Sequence, residues 1–255
     1  MTATPSGITY ADYLNLDRLL SAQQPLSELH DEMLFIVIHQ TKELWMKQML
    51  HELELAIPLV EADSFAEAYK ALARVSRIQS VMTLSWDVLA TLTPVDYLAF
   101  RHVLGTSSGF QSAQFRELEY RLGLKDPQYL GHYAEGTEER RRLDAALEQP
   151  SLRDASHSAL ERSGLDLGDR SVQALAAAWL TVYRDADRWF DLYQLAEKLV
   201  DLDDSLASWR HKHVLTVERI IGNKAGTGGS AGASYLRSTL DKRIFPELWA
   251  LRTDL

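Results

Sequence analysis

Eight histidines and no cysteine set the chemistry open to this chain. Without thiols there are no disulfides, iron–sulfur clusters, thiolate-ligated haem or cysteine zinc sites, so a metal must be held by imidazole or carboxylate. No histidine has a Glu three residues before it, and no His-Glu-x-x-His string occurs, which removes the helical di-iron pairs and the zincin signature. The clearest candidate ligand is His213. Leu195, Leu199, Leu202, Leu206, Trp209, His213 and Ile220 recur at spacings of three and four, with Thr216 between the last two, and form one apolar helical stripe. His211 lies about 200° round the same helix and points elsewhere. A histidine in such a stripe is either a hydrogen-bonded core residue or a ligand. In a chain without cysteine, a neutral imidazole is the natural axial ligand of a haem iron.

His39 follows five apolar residues, Leu34 to Ile38, and shares a helical face with Phe35. It reads either as a satisfied core histidine or as a polar group facing a cavity, able to bond a substrate N–H or a bound oxygen. Glu43, one turn on, could pair with it. Tyr97 and Arg101 are also four apart, on a segment apolar nearly all round: Val95, Leu98, Ala99, Phe100, Val103 and Leu104. An arginine there must reach solvent or meet an anion, and a guanidinium fork suits a substrate carboxylate as well as an internal acid. The glycine-rich run Gly226 to Gly232 loosely imitates a nucleotide loop, but it follows a helix rather than a strand and has no Gly-Lys-Ser/Thr pair. It reads as a mobile loop with hydroxyls on Thr227 and Ser230, or as a helix-ending linker.

The elements that must position these groups are helices, because strand alternation is scarce. A short helix is expected near Tyr10 to Leu20, then a long one from about His30 towards Ala56. Ser64 and Glu67 read as a capping box for a helix running past Trp86 to about Leu92. Thr93, Pro94 and Asp96 have the N-cap, first-position and first-turn chemistry of another, closed by Gly105. Phe110 to Leu122 precedes a more polar helical insertion at about 125–170, whose Glu138 to Arg142 charge run reads as a solvated face. Helical pattern returns from Val172 to Ile221, with a break expected near Asp185 to Asp187, and a last stretch is interrupted at Pro246. No repeat or linker divides residues 1–255, so one all-α domain of long packed helices is expected.

With 255 residues and 46% hydrophobic content, the chain can bury a sizeable core unaided. A net charge of −9 with no basic cluster argues against nucleic acid and anionic membranes. The longest apolar run, Ala174 to Leu180, is far below the ~20 residues of a span. Met1 to Tyr10 carry neither the basic nor the apolar region of a signal peptide, and a cytoplasmic location is expected.

Three strings are more specific than any spacing. Phe35-Ile36-Val37-Ile38-His39-Gln40-Thr41-Lys42-Glu43-Leu44-Trp45 is the first. Leu92-Thr93-Pro94 through Tyr97, Phe100 and Arg101 to Ser107-Ser108-Gly109-Phe110-Gln111-Ser112 is the second. Trp209-Arg210 with His213, followed by Lys224-Ala225-Gly226-Thr227-Gly228-Gly229-Ser230, is the third. Together they resemble the motifs of the haem-dependent tryptophan 2,3-dioxygenases, and the likeness runs from Tyr10 to Phe245-Pro246-Glu247-Leu248. Thr106 and Ala231 stand where the family commonly has proline and serine.

The resemblance implies haem b, one ferrous iron per subunit in the active state, with His213 as proximal ligand and Trp86, Ser108 and Gly109 near the haem. It implies that Arg101 binds the carboxylate of L-tryptophan and Thr227 its ammonium. Phe35, Ile36, Val37, Ile38 and Tyr97 would belong to the substrate pocket, with His39 accepting the indole N–H in an orienting role. Dioxygen would be added across the indole double bond to give N-formyl-L-kynurenine, the first step of tryptophan catabolism by the kynurenine pathway. The family's homotetramer, a dimer of dimers, would place Tyr10, Tyr13 and Leu14 of the N-terminal segment 1–24 in a neighbour's pocket. The competing readings are a related haem monooxygenase acting on tryptophan or a derivative, and a haem-binding sensor without turnover.

Overall fold

A computed structural model describes residues 7–255; Met1 to Ser6, part of the segment read for a leader, lie outside them. The described residues are helical throughout, with no strand. Three long helices organise the molecule: α3 (His30–Glu61), α4 (Phe65–Leu89) and α10 (Phe190–Ile221). The 32 residues of α3 and of α10 give each a length of about 48 Å. The helix α4 packs against both. Leu53, Ala56 and Val60 of α3, Ala68, Leu72 and Val75 of α4, and Leu195, Leu199 and Leu202 of α10 are almost wholly removed from water. Each buried Leu or Val among them contributes roughly 1.5–3 kcal/mol of apolar burial, and this shared core fixes the relative rotation of the three helices.

The same helices continue beyond the core and build a second, smaller apolar cluster at one end. It holds Ile38 of α3, Trp86 and Leu89 of α4, and Ile220 of α10, with Leu92, Tyr97 and Phe100 from the segment that closes over it. That segment is α5 (Pro94–Phe100), capped by the Thr93 hydroxyl, which accepts from the Asp96 N–H at 3.3 Å. It runs on as a 3-10 turn, Arg101–Leu104, and stops at Gly105 with φ +55°.

The other elements buttress this frame. α6 (Ala113–Leu122) and α8 (Leu152–Arg162) pack on α3, α7 (Glu138–Glu148) on α6, and α9 (Val172–Arg184) on α12 (Pro246–Ala250). The polar stretch at 125–170 is thus helical, and beneath its charged exterior it buries Leu143, Ala146, Leu152 and Leu160. Within its charge run, Arg141 pairs with Glu138 on the surface, while Arg142 reaches the buried Glu117 at 2.5 Å. The C-terminal segment is tied to α10 by the buried Asp203. Its carboxylate accepts from the backbone of Ile244 and Phe245 and from the Trp249 indole at 3.0–3.1 Å, which satisfies a group that would be costly to bury alone.

Several boundaries differ from the sequence reading. Helix α3 does not stop near Ala56 but passes through Pro58 to Glu61, because the burial of Ile57 and Val60 outweighs the lost backbone bond. Ser64 makes no capping bond. The α3–α4 turn needs Asp63 at φ +56° and leaves Ser64 at ψ 58°, outside the extended geometry of a cap. The Tyr10–Leu20 stretch is two helices, α1 (Tyr10–Leu14) and α2 (Leu16–Leu20), parted by Asn15 at φ +53°. Helix α4 ends at Leu89 rather than Leu92, and α6 starts at Ala113, after a 3-10 turn at Gly109–Gln111. The break near Asp185 is present: α9 ends at Arg184 and α10 starts at Phe190. Among the described residues no helix is long and apolar enough to cross a membrane.

Candidate active site

Between the helix ends lies a cavity of about 660 Å³. On the α3 wall, Phe35 and His39 stack one helical turn apart, ring centroids 4.2 Å apart. The Nδ1 of His39 lies 2.7 Å from the Phe35 carbonyl. A carbonyl oxygen only accepts, so Nδ1 carries the proton and Nε2 keeps its lone pair. Burial holds the His39 pKa down to about 4, helped by the nearby Lys42 charge and opposed by the bond to Phe35; the ring is neutral near pH 7.

The facing wall is α10. His213 stacks on Trp86 of α4 with centroids 4.3 Å apart and planes 11° from parallel, and Trp209 lies 5.2 Å away. Burial lowers the His213 pKa to about 3, with the charges of Lys42 and His39 adding to the effect and no hydrogen bond contributing. His213 therefore presents a neutral imidazole to the cavity. His211 is exposed and bonds the Ala207 carbonyl at 2.9 Å.

The third wall is α5. Tyr97 and Phe100 sit 5.8 and 5.7 Å from Phe35. Arg101 donates to the carbonyl of Ala225, and the Thr227 hydroxyl donates to the Ser107 carbonyl at 2.5 Å. These bonds draw the glycine loop across the cavity onto residues 105–108. The approach is tight: a Cβ on Gly228 would stand 2.5 Å from that of Ser108. Gly232, at φ +62°, would push a Cβ to 2.3 Å from the Lys224 carbonyl. Only glycine fits either place. Part of the cavity lining is polar. There Arg210 donates to Glu119 at 2.8 Å and to the Lys242 carbonyl at 2.7 Å, and Arg116 also pairs with Glu119.

Of the residues singled out from sequence, Phe35, Ile36, His39, Trp86, Tyr97, Ser108, Gly109, His213 and Thr227 all line this cavity. Val37 is exposed, about 200° round α3 from Phe35, and Ile38 is buried in the cluster behind the wall. Neither lines the cavity. Arg101 is half-buried and engaged with the loop rather than lining the wall. Tyr10, Tyr13 and Leu14 are exposed and do not line this cavity. Glu43 does not pair with His39; it accepts from Gln114 at 2.7 Å.

Lys42, Trp209, Phe110 and the Arg116–Glu119–Arg210 network also line the cavity without having been singled out. Lys42 was discoverable, since it lies three and seven residues beyond His39 and Phe35 on one helical face. The network was not, because Arg210 on α10 meets Glu119 on α6 across 91 residues of sequence.

An all-helical fold with a deep apolar pocket, a few convergent polar groups and two neutral imidazoles on facing walls defines a helical small-molecule enzyme rather than a scaffold. Comparison with known proteins narrows the class. The family model for tryptophan 2,3-dioxygenase matches residues 1–171 and 165–255. The chain is 61% identical to a tryptophan 2,3-dioxygenase of Caulobacter vibrioides, covering 97% of this chain and 98% of that protein. It is 53% identical to one from Bacillus cereus, with 97% and 93% covered, and 52% identical to one from a Polaromonas species, with 97% and 88% covered. The chain belongs to the tryptophan 2,3-dioxygenase family.

Proposed function

We propose that the chain is a haem-dependent oxidoreductase that adds dioxygen to L-tryptophan and opens the indole ring to N-formyl-L-kynurenine. The observation that carries this reading is the neutral imidazole of His213, held in a ring stack and free of hydrogen bonds, facing an apolar cavity opposite the Nε2 lone pair of His39. A neutral imidazole, with one ring nitrogen's lone pair available, is the form that ligates iron. Among the described residues no group of three or more His, Cys, Asp or Glu could hold a metal, so the remaining donors would have to come from a porphyrin. The buried indole N–H of Trp86 and ammonium of Lys42, both without partners, mark a cavity whose polar requirements are unmet by protein. The residues therefore fit haem b: His213 would hold its iron, and Trp86, Ser108 and Gly109, which line the same cavity, would contact it. When bound, haem supplies the ferrous iron at which dioxygen is activated.

The chain's own part is to bind, orient and exclude water. Arg101 exchanges the Ala225 carbonyl for the substrate carboxylate, a stronger, charge-assisted partner. Thr227 similarly turns from Ser107 to the substrate ammonium. The rings of Phe35 and Tyr97, beside Ile36, flank the indole, and Nε2 of His39 accepts its N–H. Docking of the glycine loop then excludes water from the reacting atoms. His39 is an orienting group and not an obligatory base. The working form is a cytoplasmic homotetramer in which Tyr10, Tyr13 and Leu14 complete a neighbour's pocket.

The test is anaerobic reduction of the haem-loaded protein, addition of L-tryptophan and then air, and product identification by absorbance and mass. A gain of two oxygen atoms with N-formylkynurenine absorbance is expected. A gain of one would replace the reading with a monooxygenase, and bound haem without product would replace it with a sensor.

A further inference from the structure

We infer that Lys42 anchors the porphyrin by pairing with one of its propionate carboxylates; the inference rests on the haem reading above. Lys42 is only 6% exposed, and its ammonium bonds no group among the described residues. It rests on the face of Trp86, with Nζ 2.9 Å from the ring centroid. Such a contact is far weaker than the cost of stripping water from a lone ammonium. Burial without a partner pulls the Lys42 pKa down to about 7, and an anion from outside the chain would restore its full charge.

The protein itself has none to offer. Three carboxylates line the cavity, and each is engaged. Glu32 accepts from the backbone of Leu26 and Ser27 at 2.7 and 2.8 Å. Glu43 holds Gln114, and Glu119 holds both arginines of the polar lining. Those arginines, being paired, are not free to take another anion without leaving Glu119 bare. Position separates Lys42 from the substrate carboxylate as well. Its ammonium sits against the indole that stacks on His213, whereas Arg101 sits at the glycine loop.

The experiment titrates the ligand-free native protein, Lys42→Met and Lys42→Arg with iron protoporphyrin IX and with its dimethyl ester. Affinity is read from the Soret band, and release from transfer to apomyoglobin. Loss of one charge-assisted bond should weaken binding of the diacid to Lys42→Met by roughly 10- to 100-fold, leave the diester unchanged, and be largely restored in Lys42→Arg. Ligand-free Lys42→Met should melt no lower than the native protein, since it removes an uncompensated buried charge. Should it fail to fold, Lys42→Gln supplies the same diacid-to-diester ratio.

Unchanged diacid affinity, or an equal loss for both porphyrins, overturns the inference while leaving the haem reading intact. So does a raised KM for L-tryptophan with porphyrin affinity intact. Absence of any native Soret complex overturns both.

Discussion

The histidines on the two walls differ in what their ring nitrogens do, and that difference sets their expected phenotypes. His39 is committed at Nδ1 to the Phe35 carbonyl and offers a single acceptor at Nε2. On the proposed reading, replacing it by alanine would remove one hydrogen bond to the substrate, about 0.5–1.5 kcal/mol. His39→Ala should therefore slow turnover by about tenfold at most with the Soret spectrum retained; total loss of activity with haem still bound would make the residue an obligatory base. On the proposed reading Arg101 would carry more, because its guanidinium would exchange the Ala225 carbonyl for a desolvated carboxylate. Arg101→Ala should cost roughly 2–5 kcal/mol of substrate binding, read as a raised KM for L-tryptophan with the haem spectrum unaltered. An unchanged KM would remove Arg101 from the pocket. That Phe35 and His39 share one helical face was legible from their spacing, and both line the cavity. That Arg101 first meets a loop carbonyl was not, because Ala225 lies 124 residues away in sequence.

Among the elements, the glycine loop is the one poised to move. It is held by side-chain bonds from Arg101 and Thr227 and by the close approach of Gly228 to Ser108, and it buries few apolar groups. A methyl at 228 would overpack this contact at a cost of about 1–3 kcal/mol. Gly228→Ala should undock the loop, changing KM and kcat together while the melting temperature stays near the native value. Adding Ser108→Gly, which deletes the opposing Cβ, should recover most of the loss; no recovery would mean that the loop docks through other contacts. Helix α3 illustrates the opposite behaviour. Its far half is locked into the core by Leu53, Ala56 and Val60, so the face carrying Phe35, His39 and Lys42 is fixed in rotation by packing well away from the site.

For the molecule as a whole, burying neutral imidazoles couples stability to pH. His39 titrates at about 4 and His213 at about 3 in the fold, against about 6.5 when unfolded. Below pH 6.5 the unfolded chain binds protons that the folded one refuses. The stabilisation is thus fully present above about pH 6.5 and is lost as pH falls towards 4. The ligand-free protein should melt at progressively lower temperature across that window, and His39→Gln should flatten the slope; a melting temperature independent of pH between 7 and 4 would contradict the burial of these rings. At the N-terminal end, Ile8, Tyr10, Tyr13, Leu20 and Leu26 are all more than two-thirds exposed, an apolar surface that suits a neighbouring subunit. Two side chains, Gln23 and Gln40, tether this segment to α3. Removing residues up to Ser21 should leave helical content and porphyrin binding intact but lower both activity and assembly mass, measured by scattering. Full activity after truncation would exclude a role in trans.

By itself the sequence determined the helical class, the placement of most breaks and caps, and the faces on which Phe35, His39, Tyr97 and His213 lie, because 3.6-residue periodicity and local capping are properties of short segments. It failed locally at Pro58 and Ser64, where tertiary burial and a tight turn overrode the local signal. Only the tertiary structure decided that α3, α4 and α10 bring Trp86 onto His213, that the glycine loop closes onto Ser107 and Ser108, and that the Lys42 ammonium is buried without a hydrogen-bond partner. Those outcomes depend on contacts between segments distant in the chain, and the packing of three long helices around a common core sets their geometry.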